Sequence, residues 1–163
     1  MAKGDITLYQ SGRGNNGGTP SRNYQINASA TLLNAGEPAA YALGQQYVAP
    51  LATSKPVVGT DYIAGIAAST SNNTAAAAGT VDVYDDTPGQ TYLIAPKTAS
   101  TWATQSAYNA LVGARVTLDL TTGSYTINAT DGATNGCIVE NLNITNYPAK
   151  VAFSFRKGAF YYA

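Results

Sequence analysis

Apolar residues in this chain fall into short runs, alternating or unbroken, and each run is cut by glycine, proline or asparagine before a long helix can form. Such punctuation leaves β-strands as the natural elements, since a strand needs only a handful of residues. VAFSF alternates Val151, Phe153 and Phe155 with Ala152 and Ser154, which predicts a strand with one buried face. ARVTLDLTTGSYTINA reads as a hairpin, with Val116, Leu118 and Leu120 on one face, TTGS as the turn, and Tyr125 and Ile127 on the return. Val81 and Val83, then Pro88-Gly89, then TYLIA predict a second hairpin.

Other segments are read in the same way. Tyr24, Ile26, Ala28 and Ala30 at period two suggest a strand over residues 24–33, and a further strand is expected between Cys137 and Ile144. KPVVGTDYIAGIAA reads as a buried strand in which Gly59 and Gly65 mark a bulge or a close backbone approach. Residues 40–52 fit either a strand pair or a short helix followed by a strand, with Pro50 and Pro56 opposing central strand positions nearby. Only WATQSAYNALVG reads as a helix: Trp102, Tyr108, Leu111 and Val112 share a face, Ser100 or Thr101 caps the start, and Gly113 closes the end. The expected architecture is therefore mainly β, a single small barrel-like or sandwich-like domain over residues 25–163 with one short helix.

Residues 1–24 include SGRGNNGGTPSRN, which offers too little apolar surface to offset the entropy of ordering, and are expected to form a flexible N-terminal arm. Ile6, Leu8 and Tyr9 favour an arm that orders against a neighbouring subunit over a frayed terminus. At the other end GAFYYA places Phe160, Tyr161 and Tyr162 where solvation is costly, so they are expected to dock on their own fold or on a partner. Together with Arg13, these residues are the candidate contacts.

The chemistry available is narrow. The chain has no histidine, which removes Ser-His-Asp and Cys-His catalysis and nearly every zinc site. Cys137, the single cysteine, lies between a turn and an apolar run and is expected to be a buried structural thiol. Asp82, Asp85 and Asp86 form the densest acidic cluster, with Asp61 able to join them in space, but their spacing fits no EF-hand and they read as polar hairpin residues. SGRGNNGG lacks the strand, helix and Lys-Ser/Thr pair of a phosphate loop. No cofactor, metal or catalytic residue is implied.

Nine basic and nine acidic residues cancel, and only 11% of the chain is charged against about 25% in a typical soluble domain. Neither nucleic acid nor a membrane surface is expected as a partner, and broad contact with other protein is physically easier. MAKGDITLYQ has no apolar stretch of signal-peptide length, so synthesis in a cytoplasm is expected. The four alanines of residues 75–78 stand in a loop of Ser, Thr, Asn and Gly. Small residues allow close approach without loss of rotamer entropy, and the loop reads either as such a contact surface or as a tolerated exposed segment.

AGEP, ALGQQYVAPLATSKPVVGTDYIAGIAAST, AGTVDVY, PGQTYLIAPK and the closing KVAFSFRKGAFYYA, taken in order, resemble the small capsid decoration, or cement, proteins of tailed bacteriophages. The resemblance runs from about Ala30 to the end. It implies a β-rich, barrel-like domain on the outside of an icosahedral virion, after synthesis in the bacterial host cytoplasm. Its implied partners are the major capsid protein and itself, as a trimer or else a dimer, and it carries over no catalytic residue. A rival reading is a carbohydrate- or receptor-binding module of a tail or surface structure, with Trp102 and the 12 tyrosines as its platform. A hydrolase would need a carboxylate pair such as Asp119 and Glu140.

Overall fold

Short strands dominate the chain because none of its unbroken apolar runs exceeds five residues. The computed structural model describes residues 6–10, 21–41, 47–51, 55–85, 90–121 and 123–156. The strands are β1 (Thr7–Gln10), β2 (Ser21–Ile26), β3 (Pro38–Tyr41), β4 (Val48–Pro50), β5 (Tyr62–Ala67), β6 (Gly79–Asp85), β7 (Thr91–Ile94), β8 (Arg115–Thr121), β9 (Ser124–Asn128), β10 (Cys137–Val139) and β11 (Val151–Phe155). A 3-10 turn at Ala99–Trp102 precedes the short helix α1 (Gln105–Asn109). The fold is mainly β, as expected, and its strands form two sheets.

Strands β2, β4, β3, β5 and β6 close into a barrel, β6 returning to β2 over six residue pairs from Ser21↔Tyr84 to Ile26↔Gly79. So narrow a barrel needs small interior side chains, and its core is Ile26, Leu33, Ala39, Val48, Ala64, Ala67, Val81 and Val83. Gly65 carries the tightest contact. It pairs with Ala39 on one side and Asp85 on the other, with φ +147°, and a Cβ there would lie 1.9 Å from the Tyr84 carbonyl oxygen. The expected close approach is thus real at Gly65, whereas Gly59 lies in a turn with open space around it. Of the run 55–68 only Tyr62–Ala67 is strand; the Asp61 carboxylate instead accepts the Val57 N–H at 2.7 Å and holds the preceding turn.

The other sheet has the order β1-β7-β11-β10-β8-β9. Beyond β7 the chain reaches β9 through a parallel bridge, Pro96↔Ile127: Ile127 donates to the Ala95 carbonyl and accepts from Lys97 N–H. This carries the sheet round onto itself. Its interior is the larger core, including Tyr92, Ile94, Tyr108, Val116, Leu118, Tyr125, Ile127, Cys137, Phe153 and Phe155. Leu51, Ile63 and Ile66 of the barrel side join this core, and the Tyr125 hydroxyl donates to the Leu51 carbonyl, so the two sheets share packing.

At the closure Lys97 Nζ lies 2.6 Å from Asp119 Oδ2, and the Asp119 side chain is almost fully buried. Removing the cation while keeping the stem, as in Lys97→Met, is expected to cost about 1–3 kcal/mol, because a buried carboxylate loses its counter-charge. An ordinary surface pair would cost about 0–1 kcal/mol. The midpoint of urea unfolding distinguishes these values.

Several expectations need correction. Strands β6 and β7 do not form a hairpin: β6 closes the barrel while β7 lies between β1 and β11 in the other sheet. All four β7 residues are buried, a two-sided burial that only a central strand provides. Strand β11 is likewise central, so Ala152 is buried along with Val151, Phe153 and Phe155. The strand expected over residues 24–33 spans Ser21–Ile26 and stops before Ser29, whose φ is 60°. The strand expected from Cys137 to Ile144 is limited to Cys137–Val139. Of the alternatives for residues 40–52 the described residues show the strand pair, β3 antiparallel to β4, but the first strand starts earlier, at Pro38, and Pro50 closes the second.

The helix is shorter than expected. Thr104 caps it, its hydroxyl accepting the Ala107 N–H at 3.1 Å; Trp102 precedes it, and Val112, at 42% exposure, does not share the buried face. Residues expected to form a flexible arm also enter the fold. Thr7–Gln10 adds an edge strand to β7, Ile6 is buried in the larger core, and residues 21–24 belong to β2.

Candidate interaction surface

Two connections of the barrel lie side by side: residues 27–37 between β2 and β3, and residues 68–78 between β5 and β6. Main-chain bonds tie them, with Ser71 N–H donating to the Leu33 carbonyl at 2.8 Å and Ser29 N–H to the Thr74 carbonyl at 2.9 Å. Side chains complete the brace. Ser71 Oγ accepts the Leu33 N–H and donates to Asn73 Oδ1 at 2.8 Å, while Asn73 Nδ2 donates to the Ala30 carbonyl at 2.9 Å. Both side chains are buried, which requires this satisfaction of their polar atoms.

The outward residues of the same loop are braced as well. Asn72 Oδ1 accepts the Thr80 N–H at 2.7 Å, and Thr74 Oγ1 accepts from the Ala76 and Ala77 N–H groups. Ser29 Oγ donates to the Ala75 carbonyl at 2.7 Å. Gly79 has no room for a side chain, since a Cβ would lie 2.3 Å from Asn73 N. Residues 75–78 form the exposed tip of one connection, and Leu32 on the other is 45% exposed. The two connections carry a single ionisable side chain, Glu37, which is fully buried and accepts the Asn34 N–H at 2.7 Å. The described exposed surface of these two connections is therefore pre-ordered and carries no charge.

A second feature lies on the other sheet, an open groove of about 570 Å3 lined by Tyr9, Gln105, Asn109, Asn141, Asn143 and Thr145, with Leu142 beneath. Tyr9 stands edge-on to Tyr147 at 5.1 Å and 82°, and is 38% exposed. Gln105 is fully engaged: Nε2 donates to Asn109 Oδ1 and to the Leu142 carbonyl, and Oε1 accepts the Ile144 N–H.

No protein-family model, curated protein or solved structure matches this chain.

The residues singled out from the sequence are dispersed. Ile6 is committed to the chain's own core, which leaves its side chain no part in an outside contact. The main chain of Leu8 pairs with Tyr92, and Tyr9 faces the groove. Arg13, Phe160, Tyr161 and Tyr162 lie outside the described residues. Cys137 is buried, as expected of a structural thiol. Trp102 is 5% exposed and packs on Tyr108 at 5.6 Å, so it offers no stacking platform.

The carboxylates whose side chains are described are all engaged within the chain. Asp61 pairs with Lys55, Asp82 with Asn23, Asp119 with Lys97, and Glu140 with Ser154. Asp131 takes two hydrogen bonds from the Arg115 guanidinium and one from its N–H; these hold the Asp131 carboxyl down at about 2 and push the guanidinium up. Asp82 faces solvent between buried Val81 and Val83, as the alternation predicts. Among the described residues no group of three or more acidic or cysteine side chains is placed to hold a metal ion.

Sequence reasoning missed the bracing of residues 71–74 and the amide groove. The first left a faint signal, the alternation of inward Ser71 and Asn73 with outward Asn72 and Thr74. The second left none, because its residues come from three distant segments.

Proposed function

We propose that this protein is a structural, non-enzymatic component of a tailed-bacteriophage virion. It binds the outer surface of the icosahedral capsid and bridges neighbouring major capsid protein subunits, associating with itself as a trimer. The observation that carries this reading is the braced pair of connections at one end of the barrel, uncharged on their described exposed surface, with Leu32 and the alanines of residues 75–78 outward. A surface already ordered before contact loses little conformational entropy on docking, and one without charges has little to desolvate. Engagement of the described carboxylates inside the fold and the sequence resemblance point the same way.

The mechanism is mass action. A protein that binds only the assembled shell raises the free energy needed to open it. Each contact can be weak, since linked sites on a repeating lattice strengthen binding by about 100- to 10,000-fold.

Purified protein should co-sediment with empty shells of the major capsid protein and raise the temperature at which filled particles release their genome. Leu32→Asp and Ala76→Asp add charge to the exposed patch and should each abolish co-sedimentation while leaving the melting temperature of the free protein within a few degrees. Undiminished co-sedimentation of both variants, or genome release unaffected by the protein, would overturn the reading.

A further inference from the structure

The groove at Tyr9 has a chemistry that shell docking does not use. Gln105 holds Asn109 by its Oδ1, which leaves the Asn109 amide NH2 free to donate. The Thr145 N–H holds Asn143 by its Oδ1 at 3.0 Å, with the same result. Asn141 is exposed and makes no side-chain hydrogen bond among the described residues, so both ends of its amide are open. Tyr9 adds an exposed aromatic ring whose orientation is set by its contact with Tyr147. None of the described residues lining the groove is charged.

We propose that this groove binds an uncharged glycan. A pyranose presents an apolar C–H face and a rim of neighbouring hydroxyls that both donate and accept. An aromatic face suits the first, and planar carboxamides suit the second, because each offers donors and an acceptor at fixed spacing. Two of the three asparagines are held in place by bonds within the chain, so their groups are positioned before the sugar arrives. The lack of a cation in the lining disfavours sialylated, sulfated or phosphorylated ligands. A protein partner is disfavoured as well, since the groove presents amides where an interface core would present apolar anchors. The site is separate from the barrel end assigned to the shell, so either can fail without the other.

The test is an array of neutral, sialylated and sulfated glycans probed with the full chain, followed by titration of the retained neutral glycan against variants. Retention of neutral glycans is expected, with affinity reduced at least about tenfold by Asn141→Ala and by Tyr9→Ala, and unchanged by Thr60→Ala, a substitution at an exposed turn residue outside the groove lining. Asn141→Ala is the decisive variant, because that side chain supports no part of the fold, whereas Tyr9→Ala must also keep its melting temperature to count. Three outcomes would overturn the proposal: no glycan retained, retention confined to acidic glycans, or neutral binding that survives Asn141→Ala.

Discussion

Gly65→Ala is expected to yield no folded protein. The Cβ it introduces would sit 1.9 Å from the Tyr84 carbonyl oxygen and 2.9 Å from the carbon of the same carbonyl, atoms of a neighbouring strand that cannot swing aside as a side-chain tip can. The positive φ of 147° adds strain for any residue with a Cβ. Relief would require β5 and β6 to separate, and their pairing closes the barrel. Loss of that closure exceeds the ~4–5 kcal/mol that marks an exceptional single substitution, out of a total stability of about 5–15 kcal/mol. Soluble yield and the circular dichroism of any recovered protein provide the measurement. Gly59→Ala is the matched control. It also has positive φ, at 80°, but nothing lies within 4 Å of its new Cβ, so about 1–2 kcal/mol of backbone strain is expected and the fold should persist. Comparable melting of the two variants would refute the strand register proposed around Gly65.

The second large effect lies at Tyr108. Its hydroxyl donates to the Glu140 carbonyl and accepts from the Ala152 N–H, both at 2.9 Å, joining α1 to the connection after β10 and to β11. Tyr108→Phe keeps the ring but leaves a buried N–H without its acceptor, at about 1–3 kcal/mol. Tyr108→Ala removes the ring as well, including its packing on Trp102, and should cost about 3–5 kcal/mol from the cavity alone. Chemical denaturation of the two variants separates the hydroxyl from the ring.

The same residue governs behaviour in alkali. Burial is the main cause that pushes the Tyr108 phenol up from 10.0 to about 12, and burial likewise raises Tyr125, with a smaller push from Glu37. A raised folded value means that the folded state holds its proton more tightly than the unfolded state. The associated stability is complete below pH 10 and is lost as pH rises through about 12. Unfolding and late tyrosinate absorbance should therefore appear together in that window, and Tyr108→Phe should make the loss of stability with pH shallower. Ionisation of every tyrosine near pH 10 without unfolding would contradict the burial of Tyr108 and Tyr125.

How far the fold can be read from the residues depends on whether a pattern is local. The β8–β9 hairpin is legible because Val116, Leu118, Tyr125 and Ile127 face one core and the turn lies between them. The apparent β6–β7 hairpin misleads because both strands and an intervening Pro-Gly are present, yet the partners lie elsewhere in the chain. A clue did exist: Val81 and Val83 alternate with exposed or half-buried residues, whereas YLIA is apolar without a break, and such unlike strands seldom share one surface. The candidate interaction surface is half legible, since the small uncharged residues are visible but the braces are not. Ser71 and Asn73 look like loop residues until Leu33 and Ala30 are brought beside them. Tyr9 falls in the segment expected to be a flexible arm, and its place beside Asn141 and Asn143 depends on β1 pairing with β7.

That β1–β7 pairing also makes the barrel a cassette. The polypeptide leaves the six-stranded sheet after β1, builds all of the barrel from β2 to β6, and re-enters the same sheet at β7, directly alongside its point of departure. Entry and exit are neighbours, so the cassette behaves as a detour whose completion draws the two strands together and lowers the loop-closure entropy of zipping them. The edge of the larger sheet is thus expected to assemble last, after the barrel has formed.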